Sequence, residues 1–442
     1  MRRLALNFLK QWGSQSNRRP LLIRGARQVG KTWLVREYGR SYTSFVEINL
    51  EALPESIPLF RDLYGKPQDL LSALSLFIGK KIQPGQTLLF LDEIQGCKEA
   101  LLALRYFKEN LPQQAVIAAG SLLEFSFQDF SYPVGRIEFL HIFPMNFEEF
   151  LLAQNREDLV QAVSEANLLH PLPQAIHEKL LEEVSLYCLL GGLPEVLKTY
   201  VETGDFQQCQ NVQQIIMTTL REDFHKYTPK ANVEHLRLLF HGIPRLIGQQ
   251  KFKYSHIDPH IKSRDLSLAL SLLEKAGLTY KVIHSSGNGL PLEAQINPKK
   301  FKVYFLDIGL LQRILGLPLS QLFLQKKELL IQRGALAEQF VAQELLSYTR
   351  PNQLPRLYYW HREALSSQAE IDFLTEYRGF ILPIEVKSKK GGHLKSLHLF
   401  MKEKEEFVEN GLKISNLNFS VHQKILTLPF YALLKLGKEQ VY

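Results

Sequence analysis

Short apolar runs alternate with stretches of helical period over the first 150 residues. The runs Leu21–Arg24, Phe45–Ile48, Thr87–Leu91 and Ala115–Ala119 read as buried strands, and Arg136–Ile142 adds a later one. Buried strands separated by helices predict an α/β domain with a mainly parallel sheet. Asn146 and Glu149 stand in capping-box spacing and predict a helix that leaves this domain. From about 150 to 245 the pattern is helical, with a break at Gly191-Gly192-Leu193-Pro194. Helical periodicity over Arg264–Ala276 then precedes a β-like run, Leu278–His284, a turn, Ser285–Gly289, and a second run, Leu290–Ile296. Helices followed by a hairpin predict a winged helix or, equally, a small α+β packing module. From Gly334 the pattern predicts a helix (Gly334–Ser347), strands near Leu357–His361, Glu370–Thr375 and Phe380–Lys387, a helix (His393–Glu409) and a final run, Ile425–Leu428. This is a second α/β unit. The expected domains are 1–150, 151–330 and 331–442.

Composition narrows the class. The chain has 442 residues, 45% hydrophobic and 22% charged, which suits several packed cores and excludes disorder as the main state. Lys+Arg exceed Asp+Glu by 53 to 45, a net charge of +8 that permits a nucleic-acid partner without demanding one. Cys97, Cys188 and Cys209 are far apart, so neither a disulfide framework nor a structural zinc site is expected, and a reducing compartment fits. No apolar run approaches the ~18–20 residues of a membrane span. The stretch Met1–Lys10 is interrupted by Asn7 and closed by Lys10, so it reads as an amphipathic helix rather than a leader. A soluble cytoplasmic protein with no membrane partner is expected.

Two constellations carry chemistry. The first is Gly25-Ala26-Arg27-Gln28-Val29-Gly30-Lys31-Thr32, which matches G-x-x-x-x-G-K-[ST] between an apolar strand and a helical stretch. Glycines let the backbone N–H groups converge on phosphate oxygens at a helix N-terminus. Lys31 is expected at the β- and γ-phosphates, and the Thr32 hydroxyl on Mg²⁺. Downstream, Leu88–Leu91 ends in Asp92-Glu93. Asp92 is expected to hold Mg²⁺ and Glu93 to deprotonate the attacking water, against the alternative of a helix cap. Ser121, at the end of the next strand, reads as a γ-phosphate or water contact and equally as a cap for a helix over Leu122–Phe127. Arg136 reads as an arginine finger, in its own subunit or toward a neighbour in a homo-oligomer, or as a surface arginine. ATP is the default nucleotide, because no guanine-reading Asn-Lys-x-Asp motif occurs.

The second constellation is Glu370-Ile371-Asp372-Phe373 with Ile384-Glu385-Val386-Lys387. Strand alternation puts Glu370 with Asp372 on one face, and Glu385 with Lys387 on a face opposite Ile384 and Val386. Arg378-Gly379 joins the two strands, and Glu338 lies on the preceding helix. Such a set suits metal-assisted phosphodiester hydrolysis: Glu338, Asp372 and Glu385 bind the cation and Lys387 steadies the attacking water. The alternative is a solvated strand edge.

With these motifs in place, the chain resembles the bacterial and archaeal AAA-like P-loop ATPases that carry a carboxyl-terminal domain related to the PD-(D/E)xK nucleases. The resemblance rests on GARQVGKT (Gly25–Thr32), LFLDEIQ (Leu89–Gln95), AGSLLEF (Ala119–Phe125) and PVGR (Pro133–Arg136). It continues through GGLPE (Gly191–Glu195), DFHKY (Asp223–Tyr227), AEQF (Ala337–Phe340), EIDF (Glu370–Phe373) and IEVKS (Ile384–Ser388). It implies an extra strand between the Gly25 and Asp92 strands, a helical and winged-helix middle, and nucleotide contact by Pro194. The implied function is ATP hydrolysis coupled to a nuclease-like domain acting on DNA or RNA. The alternative is an ATP-dependent switch whose carboxyl-terminal domain binds nucleic acid or protein without cleaving.

Overall fold

The computed structural model describes residues 1–121, 135–227, 231–316, 334–350, 352–362, 369–388 and 394–438. It forms two compact units, Arg3–Phe143 with Arg350–Leu354, and Pro144–Thr349 with Pro355–Tyr442 and Met1–Arg2.

The smaller unit is built on β1 (Leu21–Arg24), β2 (Ser44–Asn49), β3 (Thr87–Asp92), β4 (Ala115–Ala119) and β5 (Glu138–His141). Their order is β2-β3-β4-β1-β5, and every pairing is parallel. β4 lies between β1 and β3, as the resemblance implies. β3 and β4 are buried along their whole length, which explains their unbroken apolar runs. The helix Lys98–Asn110 contributes Ala100, Leu101, Ala103, Leu104 and Phe107 to this core, at helical spacing. Because the strands all point one way, β1, β3 and β4 end on the same edge of the sheet.

The larger unit opens with the helix Phe147–Ala153. Asn146 Oδ1 accepts from Glu149 N at 2.9 Å, and the Glu149 carboxylate accepts from Asn146 N, so the expected capping box is present. Helices then run to Lys275. The strands β6 (Thr279–Ser285), β7 (Ile296–Phe305), β8 (Leu357–His361), β9 (Glu370–Tyr377), β10 (Phe380–Lys387), β11 (Gly411–Ser415), β12 (Ser420–His422) and β13 (Ile425–Pro429) form one sheet. Its order is β12-β13-β11-β10-β9-β8-β6-β7.

This sheet departs from the sequence pattern in how its strands pair and where they begin. The hairpin β6–β7 is no free-standing wing, because β6 pairs in parallel with β8. A boundary near 330 would therefore cut a continuous sheet. The second strand of that hairpin also begins later than Leu290. Leu292–Gln295 form a 3₁₀ turn, held by Ser285 Oγ donating to Leu292 O at 2.9 Å, and the ladder resumes at Ile296. Pro291 has no N–H to give a ladder, so the apolar Leu290–Leu292 stretch packs as a turn. The β9–β10 hairpin is as expected: Arg378 and Gly379 take φ of 52° and 83°, the positive pair that a two-residue turn needs.

Candidate functional site

β1 delivers the chain into the glycine loop. Gly25 has φ 149°, and a Cβ there would lie 2.2 Å from Ile142 O, so only glycine fits. Gly30, at φ 89°, caps the helix Lys31–Gly39. Gln28 takes φ 67°, and Ala26 and Val29 are fully buried, which anchors the loop from beneath. Arg27 lies on the same loop. Lys31 is buried, and its Nζ donates to Gly25 O at 3.0 Å and Ala26 O at 2.7 Å. Burial lowers its pKa to about 8, against the pull of Glu93 and Asp92.

Thr32 Oγ1 donates to Asp92 Oδ2 at 2.9 Å, and Glu93 N donates to Asp92 Oδ1 at 3.0 Å. Burial raises the Asp92 pKa. Glu93 sits at φ 49°, and Gln95 Nε2 donates to its Oε2. Ser121 follows β4 beside β1, where Gly120 N donates to Ile23 O at 3.4 Å. Its Oγ is buried and has no partner among the described residues. The helix it was expected to cap, Leu122–Phe127, lies outside the described residues. The donor set fits Mg²⁺–ATP: a glycine cradle, a lysine, a hydroxyl touching a carboxylate, and a spare buried hydroxyl on one sheet edge.

Arg136 is corrected in part. It precedes β5, whose first residue, Glu138, pairs with Leu21 at the start of β1. The arginine therefore lies at the opposite edge from the loop, at least ~13 Å away at ~3.3 Å per residue. It pairs with Glu109 at 2.8 Å beside a polar cavity of about 460 Å³ with Arg19 and Lys108 on its wall. A finger to its own loop is excluded.

Pro194 starts the helix Pro194–Thr203 in the larger unit. The glycines before it are locked in that unit: Gly192 N donates to Asp307 Oδ2 at 2.7 Å, and Met145 N donates to Gly192 O at 2.6 Å. A Cβ on Gly191 would meet Asp307 Oδ1 at 2.2 Å. Within the unit, the GGLP motif is a close backbone packing.

The second constellation does assemble, but around a residue the sequence did not single out. Lys302, on β7, is 4% exposed. Its Nζ lies 3.7 Å from Glu338 Oε2 and 3.7 Å from Asp372 Oδ1, and it pairs with Glu370. Burial disfavours its charge, yet Glu338, Asp372 and Glu370 outweigh burial and raise its pKa. Tyr304 OH donates to Glu338 Oε2 at 3.0 Å, and Val386 N donates to Asp372 Oδ2 at 2.8 Å. Lys387 Nζ lies 2.5 Å from Glu385 Oε1. Burial, with Asp372 next, pushes Glu385 up to about 8 and Glu338 up to about 7.

Two expectations change here. β10 is central in the sheet, flanked by β9 and β11, so Glu385 is buried rather than set on a solvated face. Among the described residues, no group of three or more His, Cys, Asp or Glu side chains is placed to hold a metal ion. Of the carboxylates expected to bind one, Glu338 and Asp372 are arranged on Lys302 and Glu385 on Lys387. Arg3 is a further surprise: its guanidinium donates to Val29 O at 3.4 Å and Phe143 O at 2.8 Å, tying the loop to the last strand's exit.

Residues 17–151 match the model of an AAA domain. Residues 181–321 and 333–432 match two domains of unknown function, DUF8612 and DUF4143. Fold, loop and match together define the smaller unit as an AAA-like P-loop ATPase domain. Among solved structures, the chain is similar to the Walker-type ATPase paby2304 of Pyrococcus abyssi, at 19% identity over 71% of this chain and 95% of that one, with a TM-score of 0.45. It is also similar to the Orc1 protein of Aeropyrum pernix, solved in complex with DNA, at 14% identity over 70% and 91% of the two chains, TM-score 0.28. A third likeness is PCH-2 of C. elegans, at 11% identity over 47% and 65%, TM-score 0.28. No curated protein matches the chain. No helix among the described residues is long and apolar enough to cross a membrane.

Proposed function

We propose that the protein is an ATP-binding and ATP-hydrolysing switch. The observation that carries this reading is the 2.9 Å contact of Thr32 with Asp92 beside the glycine loop. It joins the two side chains that would hold Mg²⁺, and the ion when bound would neutralise charge on the β- and γ-phosphates. The N–H groups of Gly25–Thr32 orient the phosphates. Lys31 exchanges the Gly25 and Ala26 carbonyls for phosphate oxygens. Glu93, steadied by Gln95, accepts the proton of the attacking water. Ser121 donates its free hydroxyl to the same oxygens. Arg136 keeps only a role toward a second copy of the chain.

The carboxyl-terminal unit is nuclease-like by resemblance alone. Lys302 among its acids favours the non-cleaving alternative, a module that binds DNA, RNA or protein under control of the nucleotide state. Two assays on the full chain test this function: phosphate release from ATP with Mg²⁺ or EDTA, and nicking of supercoiled plasmid. The expected result is Mg²⁺-dependent phosphate release without nicking. Absence of phosphate release removes the ATPase reading. Nicking that is lost in Glu385→Ala removes the non-cleaving reading.

A further inference from the structure

We propose that Lys302 is the resident cation of the acidic cluster, its ammonium standing where a divalent metal would have to sit. The reach is the first argument. β7 and β9 are separated by β8 and β6 in the pairing order, yet their side chains meet: Tyr304 and Phe373 have ring centroids 5.7 Å apart. This curl of the sheet brings Lys302 against Glu370 and Asp372 of β9 and Glu338 of the helix Gly334–Ser347. A buried lysine needs compensating charge, and these three acids supply it.

The second argument is the use of the oxygens. A hard cation such as Mg²⁺ needs several free oxygens close around it. Here Glu338 Oε2 already accepts from Tyr304, Asp372 Oδ2 from the backbone of Val386, and Glu385 Oε1 faces Lys387. Glu385 is 5% exposed, and its Oε2 is buried without a partner among the described residues. Acids whose oxygens face two ammonium groups, a tyrosine hydroxyl and a backbone N–H form a metal-ligand set closed from within.

Removal of Lys302 should therefore open the site. Without the ammonium, the acids lose their counter-charge, and a divalent ion becomes the substitute. The inference rests on the non-cleaving reading of this unit. Its test reads metal binding rather than cleavage, so the two can fail separately.

The experiment titrates Mn²⁺, followed by electron paramagnetic resonance, into nucleotide-free full-length protein. The chains are wild type, Asp372→Asn, Lys302→Met and Lys302→Met with Asp372→Asn. The P-loop contribution is common to all four. Wild type and Asp372→Asn should bind alike. Lys302→Met should take up an additional Mn²⁺ that the Asp372→Asn partner mutation removes. Its melting temperature should lie below that of wild type and rise on Mn²⁺ addition. Asp372-dependent Mn²⁺ binding by the wild-type chain overturns the proposal. So does a folded Lys302→Met chain with no added site. A Lys302→Met chain that stays unfolded with Mn²⁺ present also counts against it, since the metal should replace the missing charge.

Discussion

Thr32 donates its hydroxyl proton to Asp92 Oδ2 at 2.9 Å, so the side chains from the glycine loop and from the neighbouring acid motif are in direct contact. Thr32→Ala should lower stability by about 1.5–3 kcal/mol, the usual worth of a hydrogen bond to a charged group, while Thr32→Ser should stay near wild type. Denaturant melts of the two variants check this. Thr32→Ala should also make ATP affinity insensitive to Mg²⁺. Burial raises the Asp92 pKa, so Mg²⁺-dependent affinity should fall with decreasing pH, starting above the ordinary carboxylate range.

Lys31 gives a prediction at the alkaline end. Its pKa of about 8 means that the nucleotide-free lysine loses its proton as pH rises through 8. A bound triphosphate favours the ammonium, so ATP binding at pH 8.5 should take up a proton, with little uptake from this group at pH 6.5. Calorimetry in buffers of different ionisation enthalpy reads this directly. Stability has the opposite trend. The folded pKa lies below the ordinary lysine value of 10.5, so the unfolded chain binds more protons between about 8 and 10.5, and the contribution of Lys31 to stability rises across that window.

Arg136→Ala should leave the ATP affinity of the monomeric chain unchanged, because the arginine sits at the far edge of the sheet and pairs with Glu109. A loss of hydrolysis that grows with protein concentration would assign it to a second copy. Titration at low protein concentration, followed by rate measurements over a concentration series, separates the two.

Gly191 packs closely against Asp307 in the larger unit. Gly191→Ala puts a Cβ 2.2 Å from Asp307 Oδ1 at φ 77°, and should destabilise by at least ~1 kcal/mol. Burial pushes Asp307 up to about 6. The native state therefore keeps a proton that the unfolded chain has lost between about 4 and 6, and the contribution of Asp307 to stability falls as pH rises through that window. Asp307→Asn should remove this slope. Thermal melts from pH 4 to 7 check both variants.

The nucleotide loop was legible because its chemistry is local. Gly25, Gly30, Lys31 and Thr32 fall within a single strand-to-helix turn, and Asp92 follows a strand whose burial is plain from its composition. The Asn146–Glu149 capping box was legible for the same reason. Lys302 was not. It stands between Phe301 and Val303 in a run that also carries Lys299 and Lys300, and such a pattern reads as a strand with a solvated face. Its partners come from Glu338, Glu370 and Asp372, brought together by the curl of a sheet whose β6–β8 pairing no local pattern announces. The same long-range pairing made the β6–β7 hairpin look like a separate wing. The sequence left open which edge of the sheet Arg136 reaches, because adjacency to Gly135 does not say. Glu385 was misplaced because alternation marks a strand's faces without telling whether both are covered.

ATP binding and hydrolysis are proposed for Gly25–Thr32 with Asp92 and Glu93. The most direct measurement compares the full chain with Glu93→Gln, by calorimetric titration of ATP in Mg²⁺ and by phosphate release under the same conditions. An amide cannot accept the water's proton, yet it keeps the shape of the site. Glu93→Gln should bind ATP with equal affinity and lose hydrolysis about 10²–10⁴-fold. Hydrolysis at the wild-type rate in the folded variant, or no ATP binding by either protein, would contradict the proposal.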